Sequence, residues 1–285
     1  MPILIDISQI VVANCAAAPF KAKHDKVPVD DFFVKHMILN SLRLYNKQFK
    51  SKYGEMIICC DSKNTWRKDA FTFYKSKRAK AKQDSPIDWN MVHRTLDTMI
   101  SDLDKYFPYR VIKIEGCEGD DIIGTLARYS TEPTIIISAD GDFVQLQSNT
   151  KVKQFNPIKK EFIECVNPAL YLKEQIIRGD DGDGVPNILS DDDALHADGK
   201  RQASVFAAKV AVWVNQDPKM FCESAKVLKN YERNTMLIDL ERTPEELQEK
   251  ILLQSRNQAN GTKQSITEYF QAHRMRNLLE VLNEF

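Results

Sequence analysis

Four short apolar runs, each closing on a carboxylate, restrict what this chain can fold into more than any other feature. Pro2 to Ile7 carries Asp6 near its end, and Met56 to Cys60 stops at Asp61. Arg110 to Ile114 leads to Glu118-Gly119-Asp120-Asp121, and Thr134 to Ile137 leads to Asp140-Gly141-Asp142. Near-continuous apolar runs of this length read as parallel strands buried on both faces, separated by helices. Open sheets of that kind place their active sites at the carboxyl ends of the strands. The predicted fold is α/β, a mixed, mostly parallel central sheet flanked by helices, with acid along one edge. Five of the six carboxylates within residues 118–142 belong to these two motifs; so crowded, they repel and drive one another toward the neutral form unless a cation lies between them. Hard oxygen ligands without a neighbouring His or Cys select magnesium or manganese over zinc.

Other elements follow from spacing. Val29 to Phe49 is helical, opened by Asp30 as N-cap. Pro86 opens a helix whose stripe of Trp89, Val92, Leu96, Met99 and Leu103 reads as core, with His93 exposed beside it. Val152 to Phe155 and Glu161 to Val166 are a fifth strand and its hairpin partner through Asn156-Pro157. Asn167-Pro168 starts a helix that runs to Arg178 and stops at Gly179, and Asp180-Asp181-Gly182-Asp183 follows at once. The opening MPILIDISQIVV lacks a basic leader and is broken by Asp6, so it reads as a strand and not a signal peptide. Beyond Asp183 only helical segments appear: Arg201 to Val214, Pro218 to Asn230, Pro244 to Gln254 and Ile266 to Leu282. The expected division is an α/β catalytic domain over 1–184 and a helical domain over 185–285.

Formal net charge is zero, from 40 Lys and Arg against 40 Asp and Glu, yet the signs are segregated. Lys63 to Lys82 holds eight basic residues against the single acid Asp69, whereas Asp180 to Asp198 holds seven aspartates and no Lys or Arg. A basic run seen alone is a solvated helix face. Here aromatics interleave with it (Trp66-Arg67-Lys68, Phe73-Tyr74-Lys75), a mixture that suits phosphates and unpaired bases together. The acidic stretch Ser190 to Asp198 reads either as a disordered loop or as a surface that excludes DNA. The six cysteines form no C-x-x-C pair and read as buried thiols of an intracellular, soluble protein, with no apolar run long enough for a membrane span.

Collected, the acidic positions at strand ends and turns are Asp6, Asp61, Glu118, Asp120, Asp121, Asp140, Asp142, Asp180 and Asp183. Taken singly, each is a helix cap or turn residue; agreement among separate strand ends weakens that reading. Nine carboxylates suffice for two divalent ions about 4 Å apart at a scissile phosphate. None of the five histidines except His196 falls near an acidic motif, and no Ser-His-Asp or Cys-His pairing is evident.

The order LIDIS, CCDSK, Trp66-Arg67, Tyr74-Lys75-x-x-Arg78, Glu118-Gly-Asp120-Asp121, Ser-Ala-Asp140-Gly-Asp142 and Gly-Asp180-x-x-Asp183 resembles the 5′ to 3′ exonuclease and flap endonuclease family, nearest its branch of T-even bacteriophage ribonucleases H. The resemblance implies a two-metal-ion phosphodiesterase that acts at 5′ ends and flaps, with ribonuclease H activity, and that removes RNA primers from lagging-strand fragments. It implies two Mg2+ ions, with Mn2+ as substitute. Asp61, Glu118, Asp120 and Asp140, with Asp6 and Asp121 close by, match the first metal cluster; Asp142, Asp180 and Asp183 match the second. Lys75 and Arg78 stand where the family supports the scissile phosphate from a helix beneath an arch. Arg67, Lys68, Tyr74, Lys77, Lys80 and Lys82 become nucleic-acid contacts. The family's Asn-Ile-Pro-Gly is replaced by Gly184-Val185-Pro186-Asn187, and Lys200 and Arg201 read as substitutes in holding duplex DNA. Implied partners are branched or nicked DNA, RNA/DNA hybrids, a sliding clamp and a single-strand-binding protein, met by a monomer in the host cytoplasm. Lys263 to Phe270 resembles a clamp-binding peptide, with Ile266, Tyr269 and Phe270 as anchors; the same spacing serves a helix packed on its own domain. The alternatives are a phosphohydrolase of the haloacid-dehalogenase type, disfavoured by Asp6-Ile7-Ser8 in place of Asp-x-Asp, and a non-catalytic clamp-associated DNA-binding protein.

Overall fold

The computed structural model describes residues 1–285 except Val27 and Asp198, and except the side chains at 79–81. Strands β1 (Pro2–Asp6), β2 (Glu55–Cys60), β3 (Arg110–Lys113), β4 (Thr134–Ile137), β5 (Val152–Asn156) and β6 (Glu161–Ile163) make one sheet in the order β3-β2-β1-β4-β5-β6. Neighbours from β3 through β5 are parallel, and β6 returns antiparallel on β5. The sheet is therefore mixed and mostly parallel, as its buried apolar runs require.

Helices α1 (Ile7–Asp25), α2 (Asp31–Tyr53) and α5 (Trp89–Tyr106) lie on one face, while α3 (Trp66–Ala70) and α4 (Arg78–Gln83) break up the basic segment. Ile3, Ile5, Ile58 and Ile137 pack against that first group of helices. Alternate residues Leu4, Ile57, Cys59 and Ile136 pack instead on α6 (Gly119–Arg128). Helix α1 departs from expectation: the Ile10-Val11-Val12 run is β-branched and reads as strand, but Asp6 ends β1 and caps the helix by accepting from the Gln9 N–H at 3.1 Å. Pro19 lies inside that helix on its exposed side. The sequence signal was misleading because burial of Ile7, Ile10 and Val11 outweighs their weak helix propensity.

After α7 (Pro168–Arg178), the chain continues through α8 (Ala207–Trp213), α9 (Pro218–Phe221), α10 (Ala225–Ile238), α11 (Glu245–Gln254), α12 (Lys263–Ala272) and α13 (Arg276–Leu279). These helices return to the sheet. Leu240 and Ile251 enter the core under α6, and Ile266, Tyr269 and Phe270 enter the opposite one. The three expected clamp anchors are thus core residues, exposed by only 2 %, 2 % and 0 %. The packing reading wins because Gly261 lies so close to Phe107 that a Cβ there would meet backbone at 2.3 Å; α12, capped by Thr262 and Ser265, follows directly. Tyr269 donates its hydroxyl to Asp102 at 2.8 Å, while Lys35 holds the same carboxylate at 2.7 Å. Tyr269→Phe is expected to lower the unfolding free energy by about 1 kcal/mol, read from urea titration; an exposed docking tyrosine would leave it unchanged.

Candidate metal centre

The sheet's carboxyl edge gathers the acids. β1 delivers Asp6, whose second oxygen accepts from Ser138 Oγ at 3.1 Å. The turn after β2 delivers Asp61, held by Ser8 Oγ and by the Gly119 N–H, both at 2.7 Å. Past β4, Asp140 caps the short turn of 3₁₀ helix over Gly141–Ser148 by accepting from the Asp142 N–H at 3.0 Å. Gly179, with φ of 73°, stops α7 and turns the chain so that Asp180 accepts from the Asp183 N–H at 3.1 Å. A Cβ on Gly179 would meet the Val185 carbonyl oxygen at 2.3 Å.

These side chains line a cleft of two lobes. One, of about 600 Å³, is bounded by Asp142, Asp180 and Asp183; the other, of about 510 Å³, by Asp6 and Asp61. Arg78, Asp120 and Asp140 belong to both. Seven of the nine expected carboxylates thus meet at one opening. Among the described residues no three His, Cys, Asp or Glu stand close enough to grip an ion as they are arranged; the acids ring the walls.

Glu118 and Asp121 are placed elsewhere. Asp121 is fully buried and saturated: it accepts from the Glu118 N–H at 2.8 Å, Thr243 Oγ1 at 2.8 Å and Trp66 Nε1 at 3.2 Å, and it pairs with Arg67 at 2.8 Å. Its expected place at the metal is corrected to fastening the first turn of α6. Glu118 meets Arg67 Nη1 at 3.1 Å, Tyr74 OH at 2.8 Å and Lys75 Nζ. Arg67, expected on nucleic acid, is only 2 % exposed and donates its Nε to the Leu237 carbonyl at 2.9 Å. Tyr74, also expected on nucleic acid, is buried between Glu118 and Asp183. Both corrections have one cause: the buried acids need donors more than the strand does.

Arg78 faces the cleft, while Lys75 lies behind its wall against Glu118 and Asp183. Lys75 sits at φ of 55°, a left-handed backbone that costs a non-glycine residue about 1 kcal/mol, and its N–H donates to the Asp183 carbonyl at 2.7 Å. Its ammonium pairs with Glu118 and Asp183, and the Arg78 guanidinium pairs with Asp183. Lys68, Lys77, Lys200 and Arg201 are exposed, Lys200 being paired with Asp193, and Lys82 is half-buried. The Lys80 side chain lies outside the described residues.

Electrostatics mark the acids that lack such partners. Burial pushes the Asp6 carboxyl up to about 7, with Asp61 and Asp140 adding repulsion. Burial also pushes Asp142 up to about 7, helped by Asp140, Asp180 and Asp183 against one bond from Gln175. Asp120 and Asp180 rise for the same first reason. Burial would raise Glu118 too, but Lys75 and Arg67 overrule it and hold it below the usual range. Clustered oxygen donors that strain against ionising together fit a hard divalent cation, which would relieve the repulsion.

That strain predicts a pH dependence. Asp6 and Asp142 keep protons up to about pH 7 in the folded chain, against a reference of 3.8. Between those values the folded state binds more protons than the unfolded one, so stability falls as pH rises. In EDTA the unfolding free energy should drop on the order of 3 kcal/mol from about pH 4 to about pH 8, discounted for water in the cleft, and Mg2+ should flatten the slope. Urea titrations across pH measure it; a slope identical with and without Mg2+ contradicts it.

The acidic stretch is neither loose nor bare. Asp191 pairs with Lys226, Asp192 with Arg233 and Asp193 with Lys200, and Asn230 donates to the Ile188 and Ser190 carbonyls at 3.0 and 2.8 Å. The disordered reading is corrected for the described part, Asp198 lying outside it. His196 stacks on Phe73 at 4.8 Å and bonds Ser76 at 2.7 Å, joining this stretch to the basic segment. Sequence reasoning missed Ser8, Ser138 and Gln175; Ser8 and Ser138 each fall two residues from a strand-end aspartate, the only signal they offered.

Known proteins resemble this chain along its length. Residues 3–175 match the family profile described as 5′-3′ exonuclease, N-terminal resolvase-like domain, and residues 167–285 match that described as T4 RNase H, C terminal. The chain is 30% identical to ribonuclease H of Enterobacteria phage T4, over 99% of this chain and 95% of that protein. It is 24% identical to a 5′-3′ exonuclease of Streptomyces coelicolor over 58% of this chain and 61% of that one. Among solved structures, a bacteriophage T5 flap endonuclease in complex with DNA and metal ions superposes with a TM-score of 0.63 at 14% identity, covering 90% of this chain and 99% of that one. At that identity the likeness is one of fold.

Proposed function

The chain belongs to the 5′-3′ exonuclease family, and from that premise we propose that it uses two Mg2+ ions, Mn2+ substituting, to clear RNA primers and 5′ flaps from lagging-strand fragments. It is a metal-dependent 5′ nuclease with flap endonuclease and ribonuclease H activity. The observation that carries the reading is the meeting of seven carboxylates from five separate segments at one cleft, with Arg78 on the shared wall. Asp6, Asp61, Asp120 and Asp140 would hold one ion, and Asp142, Asp180 and Asp183 the other. Bound there, divalent cations supply the charge that neutralises a scissile phosphate and makes an attacking water more acidic.

The chain's own cations complete the site. Lys75 and Arg78, now paired with Glu118 and Asp183, would turn to the phosphate, and the strained backbone of Lys75 holds it ready. Exposed Lys68, Lys77 and Arg201 would follow the sugar-phosphate chain and set the salt dependence. We assign catalysis to residues 1–184 and duplex binding to the helices of 185–285, in a monomer acting in the cytoplasm of an infected cell. Branched DNA and RNA/DNA hybrids are its substrates in this reading. A sliding clamp and a single-strand-binding protein fit the same reaction as partners, by surfaces other than Ile266, Tyr269 and Phe270. Among the described residues no helix is long and apolar enough to cross a membrane.

One branched substrate with a 5′-labelled RNA or DNA arm tests the proposal. Cleavage near the branch that requires Mg2+ is expected with both arms. Tight DNA binding without cleavage at any divalent-ion concentration would point instead to the non-catalytic scaffold; nothing in the family match favours the haloacid-dehalogenase alternative.

A further inference from the structure

The second lobe of the cleft carries more than a phosphate and its cations require. Beside Asp6 and Asp61 it has an apolar wall of half-buried Val12 and Leu96, backed by the enclosed Val92, and next to it stands Trp89. The stripe on α5 is therefore not all interior: Trp89 and Leu96 are half-buried at the lobe, whereas Met99 and Leu103 are fully enclosed. The Lys82 ammonium lies 4.6 Å over the indole ring, and the His93 imidazole is 6.2 Å from it. The indole Nε1 is enclosed and has no hydrogen-bond partner among the described residues. Apolar surface kept open beside carboxylates costs free energy unless something flat and apolar covers it.

A nucleotide joins the two kinds of surface. Its phosphate suits the wall common to both lobes, beside Arg78 and with divalent cations between it and the Asp120 and Asp140 carboxylates. Its base needs an aromatic or apolar face within one nucleotide's reach, and about 510 Å³ is of ordinary size for a small ligand. A lysine over a ring is a displaceable lid, since its flexible stem can carry the ammonium to a phosphate when a base takes the ring. We propose that this lobe is a nucleobase subsite, in which an unpaired base next to the cleaved bond stacks on Trp89 against Val12 and Leu96 while Lys82 moves to the adjoining phosphate. The proposal rests on the nuclease reading above and adds to it a pocket that sorts paired from unpaired ends.

The test compares flap substrates bearing an intact or an abasic nucleotide on either side of the cut, with the full-length wild type, Trp89→Leu, Trp89→Phe and Lys82→Ala in Mg2+. Base stacking on an aromatic side chain is worth 1–3 kcal/mol, so the abasic substrate should raise KM about 10-fold in the wild type with kcat little changed. Trp89→Leu should show that weakening with the intact base and no further loss with the abasic one, Trp89→Phe should retain most affinity, and Lys82→Ala should weaken both substrates alike. Equal KM for both substrates in the wild type overturns the subsite and leaves the nuclease reading standing. A Trp89→Leu loss that is the same multiple on both substrates makes Trp89 a packing residue and overturns it too. If neither substrate is cut, the nuclease reading fails, and fluorescence polarisation of the same labelled oligonucleotides still decides the subsite: equal binding with and without the base overturns it.

Discussion

Asp140→Asn is expected to reduce single-turnover cleavage on the order of 1000-fold while leaving DNA affinity within a few-fold. Asp140 belongs to both lobes, and it repels Asp6, Asp120 and Asp142 strongly enough to figure in the upward shift of each carboxyl. Removing a single preorganised hydrogen-bond donor from a catalytic site typically costs about 10²–10³ in rate, and a charged residue shared by two proposed ions stands at the upper end. Asn caps helices as well as Asp does, so the bond from the Asp142 N–H survives and the fold with it. Polarisation in EDTA measures the retained binding. Wild-type rates from this variant would take Asp140 out of the site.

Arg67→Met should be the most damaging single change to stability. The guanidinium is the buried partner of both Glu118 and Asp121 and also ties the Leu237 carbonyl, at the end of α10, to α3 and the start of α6. Removing one partner of a buried ion pair strands the other charge, at a cost of about 3–5 kcal/mol. The combined variant Arg67→Met with Asp121→Asn should recover part of that loss, because fewer buried charges are then left unmatched. Urea unfolding measures both. An Arg67→Met protein as stable as the wild type would return this residue to the surface and to nucleic acid.

Position along the chain was legible; enclosure was not. The strand-end acids could be read because apolar runs closing on aspartate carry both the strand and its terminus in a few adjacent letters, and β1, β2 and β4 lie where those runs lie. Arg67 and Tyr74 could not be sorted from Lys77 and Lys68, because a donor that neutralises a buried carboxylate and one that meets a phosphate are the same chemical group. Only the depth of Glu118 and Asp121 decides between them. Ile266, Tyr269 and Phe270 failed in the same way: three apolar side chains on one helix stripe fit a foreign pocket or their own core, and the close approach at Gly261 that settles the matter involves Phe107, more than 150 residues earlier. Trp89 was half right, since its stripe is core at one end and cleft wall at the other.

The order of strands in the sheet bears on how the chain reaches this state at all. β1 is made first but sits in the middle, pairing Pro2 with Glu55 on one side and Ile3 with Ile135 on the other, and the core on each face takes in a residue from late in the chain, Ile251 on one and Phe270 on the other. Pairings so remote must wait for long loops to close, which makes folding slow and non-local. On the ribosome, the acidic edge would therefore remain unassembled until Asp183, the last of its carboxylates, has emerged, and a shorter nascent fragment would carry no cutting activity near the message that encodes it.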